Sequence, residues 1–505
     1  MKLPRWARSL GMVLVPLSLA VTLLAWGVSS PPGSSPDDDY HLASIWCAQG
    51  IEPGQCEEAG AEVSRRVPAE LVDWVGCFKF RPDVSAACPV DVGELSSTKR
   101  GNWYVSAYPP VFYGTMSLFV TDDVSTSVIL MRSANALLYV AVLAGLFFLL
   151  PRGLRPVLVW GAAVTAVPLG LFLIPSVNPS SWAVLSATGL WVAAWGFFRA
   201  EGWRKWALAG MTSLLLVVGA GARSDAAVYG VLALAVACVL SASRTRAFAR
   251  DLLLPFGLVV IAVLFFFSGR QSAVVTSDTA ASDGDIPLSL LAFINIKQLP
   301  ELWAGVFGIW QVGGLGWLDT TMPGVVWVFA LVVFGGVSFW GMRTGDVRKW
   351  IVVAGVSLSL VAVPMYILLN DGVVVGQFVQ PRYIYPLIIV LAGVVLIGLS
   401  GAALGLGRLQ LVLVAVALAI AAGVALHVNL RRYITGLDNE TFNLNDPIEW
   451  WWNAPVSPML VWFAGSAAAA LTAGLLVAFA WSSATAASAR LAQMAGSEPS
   501  SASES

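Results

Sequence analysis

The sequence predicts an all-α, polytopic integral-membrane fold with about twelve transmembrane helices, and three observations carry that prediction. The 505-residue chain is 57% hydrophobic and only 12% charged, where a soluble domain carries about 25% charged residues. Apolar runs long enough to cross a bilayer core of about 30 Å as helices recur along it. Lys and Arg cluster in every second connection, the pattern that holds alternate loops in the cytoplasm. Mean hydropathy is +0.76, and a net charge of −1 offers no basic field for nucleic acid.

Taken in chain order, residues 1–28 hold a cytoplasmic N-terminus and the first transmembrane helix, an apolar run near 10–28 behind Lys2, Arg5 and Arg8. The flank resembles a signal peptide, but no small-x-small site closes the run before "SSPPGSSP", so it reads as an uncleaved helix. Residues 29–126 form a large external loop subdomain. Helices two to seven occupy 127–269, near 127–150, 157–175, 181–198, 206–222, 226–242 and 252–269. In the second external loop, 270–322, the run "IPLSLLAFINIKQLPELWAGVFGIW" is broken by Lys297, Pro300 and Glu301, which predicts interfacial or re-entrant helices. Helices eight to twelve occupy 323–481, near 323–341, 350–369, 383–400, 409–427 and 457–481, with a third external loop at 428–456. The Ala/Ser-rich end, 482–505, is expected to be a disordered cytoplasmic tail. This threading puts Arg152/Arg155, Arg199/Arg204/Lys205, Arg244/Arg246/Arg250, Arg343/Arg348/Lys349 and Arg408 inside, with both termini.

Four of the five cysteines, Cys47, Cys56, Cys77 and Cys88, fall in the first external loop. On an oxidising side they predict two disulfides, in any of three pairings. Their irregular spacing lacks the C-x₂-C pattern of a zinc site. Trp450, Trp451 and Trp452 suit membrane anchoring at headgroup level, with sugar stacking as the other role.

The interiors of the predicted spans carry almost no charge and show no repeated halves, unlike a transporter pathway. Polar residues collect at the outer span ends instead. They are Asp37, Asp38, Asp39 and His41 after the first span, Arg132 entering the second, Asn178, Arg223 with Asp225, Arg270, Asn370 with Asp371, and Arg382. Carboxylates with several arginines at the membrane–water boundary suit a lipid-linked phosphate, because the planar guanidinium matches phosphate oxygens. For any single arginine the competing role is snorkelling or local pairing. No Walker loop, G-x-S-x-G or H-E-x-x-H is present, and two histidines make a histidine-based metal centre improbable.

A first outward helix followed by a large external loop with an acidic opening resembles the GT-C class of membrane glycosyltransferases. The stretch "PDDDYH", residues 36–41, is similar to the P-D-E-x-x-H opening of the bacterial membrane family catalogued as domain of unknown function 2142. Asp37 and Asp38 match its acidic pair, Asp38 replacing glutamate, and His41 matches its histidine. "AYPPVFY" (107–113), with Tyr108 where histidine is frequent, "SVNPSSW" around Asn178, and "QPRYIYPL" around Arg382 are like further GT-C motifs. The resemblance implies inverting transfer from a polyprenyl-phosphate sugar to a cell-envelope glycan or lipid, at a site facing away from the cytoplasm of a bacterial plasma membrane.

Such a transfer needs a base for the acceptor hydroxyl and cations for the departing phosphate. Asp38 is assigned as base, with Asp37 as the competing choice and His41 as orienting group. Arg382, then Arg223, then Arg132 are assigned to the phosphate, with Tyr108 and Asn178 beside them. No cofactor is expected, and a divalent metal on the aspartates is the less favoured option. Two roles compete with catalysis for this region: a simple acidic helix cap at "SSPDDD", and, for the whole chain, a lipid-linked sugar flippase or a non-catalytic envelope scaffold.

Overall fold

A computed structural model describes residues 5–60, 63–270, 286–309, 314–377, 379–399 and 401–495. After α1 (Arg5–Gly27) the chain turns through a tight loop into α2 (Asp38–Trp46). The subdomain that follows departs from an all-α fold by a small antiparallel sheet. Its strands are β1 (Glu57–Glu58), β2 (Arg65–Pro68) and β3 (Leu95–Thr98), in that order, with Arg65 opposite Thr98. It also holds α3 (Asp73–Phe78), α4 (Asn102–Val105) and α5 (Val111–Met116). Of the three pairings open from sequence, the cysteines adopt the sequential one, Cys47–Cys56 and Cys77–Cys88.

The bundle is built from α6 (Val124–Leu149), α7 (Arg155–Thr165), α8 (Pro168–Leu173), α9 (Ser180–Arg199), α10 (Gly202–Ala222) and α11 (Ser224–Ser241). There follow α12 (Arg246–Asp251), α13 (Leu253–Ser268), α14 (Leu288–Gly305), α15 (Gly324–Gly341), α16 (Val347–Asn370), α17 (Pro381–Val395), α18 (Arg408–Ile434) and α19 (Pro458–Ala495). Among the described residues, 10 helices are long and apolar enough to cross a membrane. Two of the expected twelve fall short. The run 157–175 is split into α7 and α8, because Pro168 has no N–H to donate and drives Val167 out of helical geometry (φ −77°, ψ 164°). The run 383–400 keeps a helix of only 15 residues, about 22 Å long. The last helix runs on to Ala495, past residue 482 where a disordered tail was expected, and residues 496–505 lie outside the described residues.

Helix α9 is apolar all round and sits at the centre of the bundle against α10, α11 and α17, as an all-round apolar helix must. Gly161 on α7 faces Gly393 on α17, where an added Cβ would come 3.3 Å from backbone, so these helices touch main chain to main chain. Outward faces such as Leu253, Phe256, Leu264 and Phe267 on α13 stay exposed and apolar, as a lipid-facing surface requires. In the second loop, α14 buries Leu291, Asn295 and Leu299 and exposes Leu288, Leu290 and Phe293.

The tryptophan triplet corrects its expected anchoring role. Trp450 and Trp452 are buried in a second core with Phe78, Trp317 and Tyr433, and Trp452 Nε1 donates to the Val28 carbonyl at 2.7 Å. The 436–456 connection folds back over the subdomain, so its aromatics meet protein. A buried ion pair closes the same region. Arg432, near the end of α18, donates to Asp319 at 2.9 Å and to the carbonyls of Phe78 and Val84, clasping two loops to one helix.

Candidate active site

The acidic stretch is held rigid from behind. Arg132 on α6 is buried and donates to the carbonyls of Gly27 (2.9 Å), Ser30 (2.5 Å) and Pro31 (2.8 Å) and to Ser34 Oγ (3.0 Å). Gly33 adopts φ 80°, where a Cβ would run into Val75, and its carbonyl accepts from Trp317 Nε1 at 2.9 Å. The Pro36 carbonyl then takes two donors, Asn178 Nδ2 at 2.8 Å and Arg382 Nη1 at 3.1 Å. Asp37, the next residue, is left-handed (φ 61°, ψ 19°), a conformation that costs on the order of 1 kcal/mol for a residue other than glycine.

That backbone turn aims the Asp37 carboxylate at two guanidinium groups. Oδ2 accepts from Arg382 Nη2 at 2.6 Å, and Oδ1 lies 3.4 Å from Arg100 Nη2. Asp37 occupies the N-cap of α2, yet its side chain makes no capping hydrogen bond, so the helix-cap role does not account for it. Burial pushes its carboxyl up, but Arg382, helped by Arg100, outweighs this and holds it below the usual carboxylate range.

The three aspartates face three ways. Asp38 is fully enclosed; Oδ2 accepts from the Ser35 N–H at 2.9 Å and Oδ1 has no partner among the described residues. Burial drives its carboxyl up to about 7, although Arg132 opposes the shift. Asp39 takes Arg100 Nε at 3.0 Å and Lys79 Nζ at 3.6 Å. Among the described residues no three His, Cys, Asp or Glu side chains gather as a cation cage.

The Asp38 shift has a sign that can be checked. Its folded carboxyl holds a proton that the unfolded chain has already released, so its stabilising contribution is complete below pH about 4 and is lost as pH rises through about 7. Asp38→Asn is expected to flatten the fall of melting temperature between about pH 4 and pH 7, measured by thermal unfolding in detergent. An unchanged slope would reject the buried titration.

Around Asp37 the remaining predicted residues divide into a front and a back. His41 is buried, its Nδ1 2.9 Å from the Tyr113 hydroxyl and its ring edge-on to Tyr108. Burial, helped by nearby arginines and opposed by Asp37, lowers its pKa to about 3, so it is neutral at physiological pH, and Nε2 has no partner among the described residues. Tyr108 is tied by its backbone to Asn102, which also accepts from Tyr40. Arg223 grips Asp225 bidentately (2.8 and 2.6 Å), donates to Ser180 Oγ, and lies over the rings of Tyr108 and Tyr383. Arg382, Asp37, His41, Tyr108 and Arg223 therefore share one front. Arg132 and Asn178 stand behind it as supports: Arg132 donates to the 27–34 loop and Asn178 ties the Pro36 carbonyl to the Ser180 N–H, so neither touches the Asp37 carboxylate to which a phosphate or substrate role was expected to bring them. Sequence reasoning missed Arg100, Lys79, Tyr113 and Tyr383. Arg100 lies 63 residues from Asp37, and no spacing signal links the two.

Asn178→Ala would leave the Ser180 N–H without its acceptor and the Pro36 carbonyl with one donor. The expected loss is about 1–3 kcal/mol, read as a lower denaturation midpoint. A midpoint equal to wild type would remove Asn178 from the support of Asp37.

A narrow cleft adjoins this front, bounded by Pro36 and Arg382 and walled by Leu169, Phe172, Leu173 and Leu315. A second narrow space shares Leu169, Gly305 and Leu315 with it. Arg382 is the one charged group on an otherwise apolar wall, and its Nε has no partner among the described residues.

A protein-family model described as "Predicted membrane protein (DUF2142)" matches residues 20–391. No curated protein and no solved structure matches the chain.

Proposed function

The chain belongs to the DUF2142 family of predicted membrane proteins, a description that names no reaction, and from the site geometry we propose that it is a GT-C-like glycosyltransferase. It moves a hexosyl or pentosyl group from a polyprenyl-phosphate donor to a cell-envelope glycan or lipid acceptor, with inversion. The observation that carries this reading is the Asp37–Arg382 contact at the end of the apolar cleft. A carboxylate able to take a proton and a guanidinium able to hold a phosphate stand side by side where an isoprenoid tail would find an apolar wall.

The base of this proposal is Asp37. Asp38 has the pKa nearer neutrality, but geometry ranks before pKa, and an enclosed carboxyl reaches no acceptor hydroxyl. The acceptor oxygen attacks the anomeric carbon from the face opposite the phosphate while its proton passes to Asp37. The bond between that carbon and the phosphate oxygen breaks, and its electron pair stays on the phosphate, facing Arg382. Arg223 holds the Tyr108 and Tyr383 rings that border the front, and neutral His41 packs against Tyr108 and leaves Asp37 ionised. The reaction faces away from the cytoplasm in this proposal, on the side where the Cys47–Cys56 and Cys77–Cys88 bonds would form. Both chain termini then lie in the cytoplasm of a bacterial plasma membrane.

The test is incubation of the purified protein with a panel of radiolabelled polyprenyl-phosphate sugars. Product of inverted anomeric configuration supports the proposal. Movement of lipid-linked sugar across liposomes without any turnover would assign a flippase instead, and absence of both would leave the scaffold role.

A further inference from the structure

A track of groups leads from Asp37 across the loop subdomain, and the reaction as proposed does not use it. Arg100 lies between Asp37 Oδ1 (3.4 Å) and Asp39, whose Oδ2 it meets through Nε at 3.0 Å. Lys79 reaches the same Asp39 oxygen at 3.6 Å and lies over the Trp317 ring at 4.6 Å from its centroid. Phe80 comes next. Its ring is 64% exposed, edge-on to Trp317, and its backbone is left-handed at φ 60°. For a bulky side chain that conformation is an outlier that persists only where the surroundings enforce it. Here they do: the loop is closed by Cys77–Cys88, and the Phe80 N–H donates to Asp319 at 3.1 Å. The fold therefore holds a large, exposed aromatic ring under strain beside Lys79, which shares Asp39 with Arg100; the two cationic side chains are 32% and 54% exposed.

Charge along the track decides what it fits. Lys79, Arg100 and Arg382 face the carboxylates of Asp37 and Asp39, while the third aspartate is sealed behind them. The accessible charges on the track are Arg100 and Lys79 against Asp37 alone, because Asp39 and the Asp319 that holds the Phe80 N–H are both buried. An exposed ring face stacks on the C–H face of a sugar, and half-exposed ammonium and guanidinium groups pair with carboxylates or phosphates.

We infer that Phe80, Lys79 and Arg100 form a subsite for an anionic saccharide, Phe80 taking a sugar ring and the two cations its acidic groups. As an acceptor subsite it rests on the glycosyl transfer proposed above, since the track ends at Asp37 Oδ1, the carboxylate oxygen that Arg382 does not hold. The acceptor hydroxyl takes the place of Arg100 at Oδ1, and Asp39 keeps the guanidinium beside it.

Binding is tested on the full chain in zwitterionic nanodiscs by titration with pentagalacturonate, with maltopentaose as neutral control. The acidic sugar is expected to bind about tenfold tighter at low ionic strength, with the preference shrinking as salt rises. Arg100→Ala and Lys79→Ala should each erode that preference, and Phe80→Ala should weaken both sugars about tenfold while Phe80→Trp retains them. Phe80→Asn, which accepts the same backbone conformation without the ring, repeats the test if the alanine variant misfolds. Equal binding of the two sugars, or wild-type binding by the Phe80 and Arg100 variants, would overturn the subsite. Because the titration needs no donor, sugar binding without turnover would count against the transfer reaction alone. Hydrolysis of a donor without sugar binding would count against the subsite alone.

Discussion

Asp37→Asn is expected to lower glycosyl transfer by about 10²–10⁴-fold, the range for losing a general base, while the protein stays folded. Asparagine keeps the size of the side chain and tolerates the left-handed backbone that Asp37 adopts. Arg382 keeps its bond to the Pro36 carbonyl, so the phosphate side of the site should stand. Product from a radiolabelled donor, compared at matched melting temperature, reads the effect. Asp38→Asn is the decisive partner experiment. Its enclosed carboxyl should be dispensable for turnover, and a reversed result, with Asp37→Asn active and Asp38→Asn dead, would return the base to Asp38.

The largest effect on stability is expected from Arg432→Ala. Arg432 is fully buried and its partner Asp319 nearly so, and removing one member of such a pair costs about 3–5 kcal/mol because the other charge is left buried without compensation. The carbonyls of Phe78 and Val84 lose their donor at the same time. The loss should show in denaturant unfolding, and earlier as faster proteolysis of the 77–88 loop. Asp319→Asn in the Arg432→Ala background should recover part of it, since the stranded charge is gone. A change below about 1 kcal/mol would place the pair in the class of dispensable surface bridges.

How far the site was legible from sequence differs residue by residue. "PDDDYH" stands out in the sequence, since an acidic run beside a span end is unusual wherever it falls. It did not rank the three aspartates. What separates them in space is one left-handed backbone, a proline carbonyl with two donors, and an arginine 345 residues away. Arg132 and Arg382 look alike on the chain, each at a span end. One is consumed by four oxygens of the 27–34 loop, while the other faces a carboxylate and a cleft. Arg100 and Lys79 gave no signal, because isolated cations in a polar loop are ordinary. The tryptophan triplet misled for the same reason: the aromatic character that suits a headgroup also suits a protein core, and only the fold of the 436–456 connection chose.

Hydropathy and charge alternation are properties of neighbouring residues, set by transfer from water and by loop-by-loop topology. The sequence by itself therefore determined the membrane class, the succession of apolar helices and the clustering of cysteines in one loop. The break at Pro168 was local too, and lay in plain view. Tertiary structure alone decided which cysteines pair, which aspartate is enclosed and which arginine meets Asp37. Those outcomes depend on burial and on contacts between distant segments: Asp37 meets Arg382 from 345 residues away, while Asp38, one residue on, is fully enclosed.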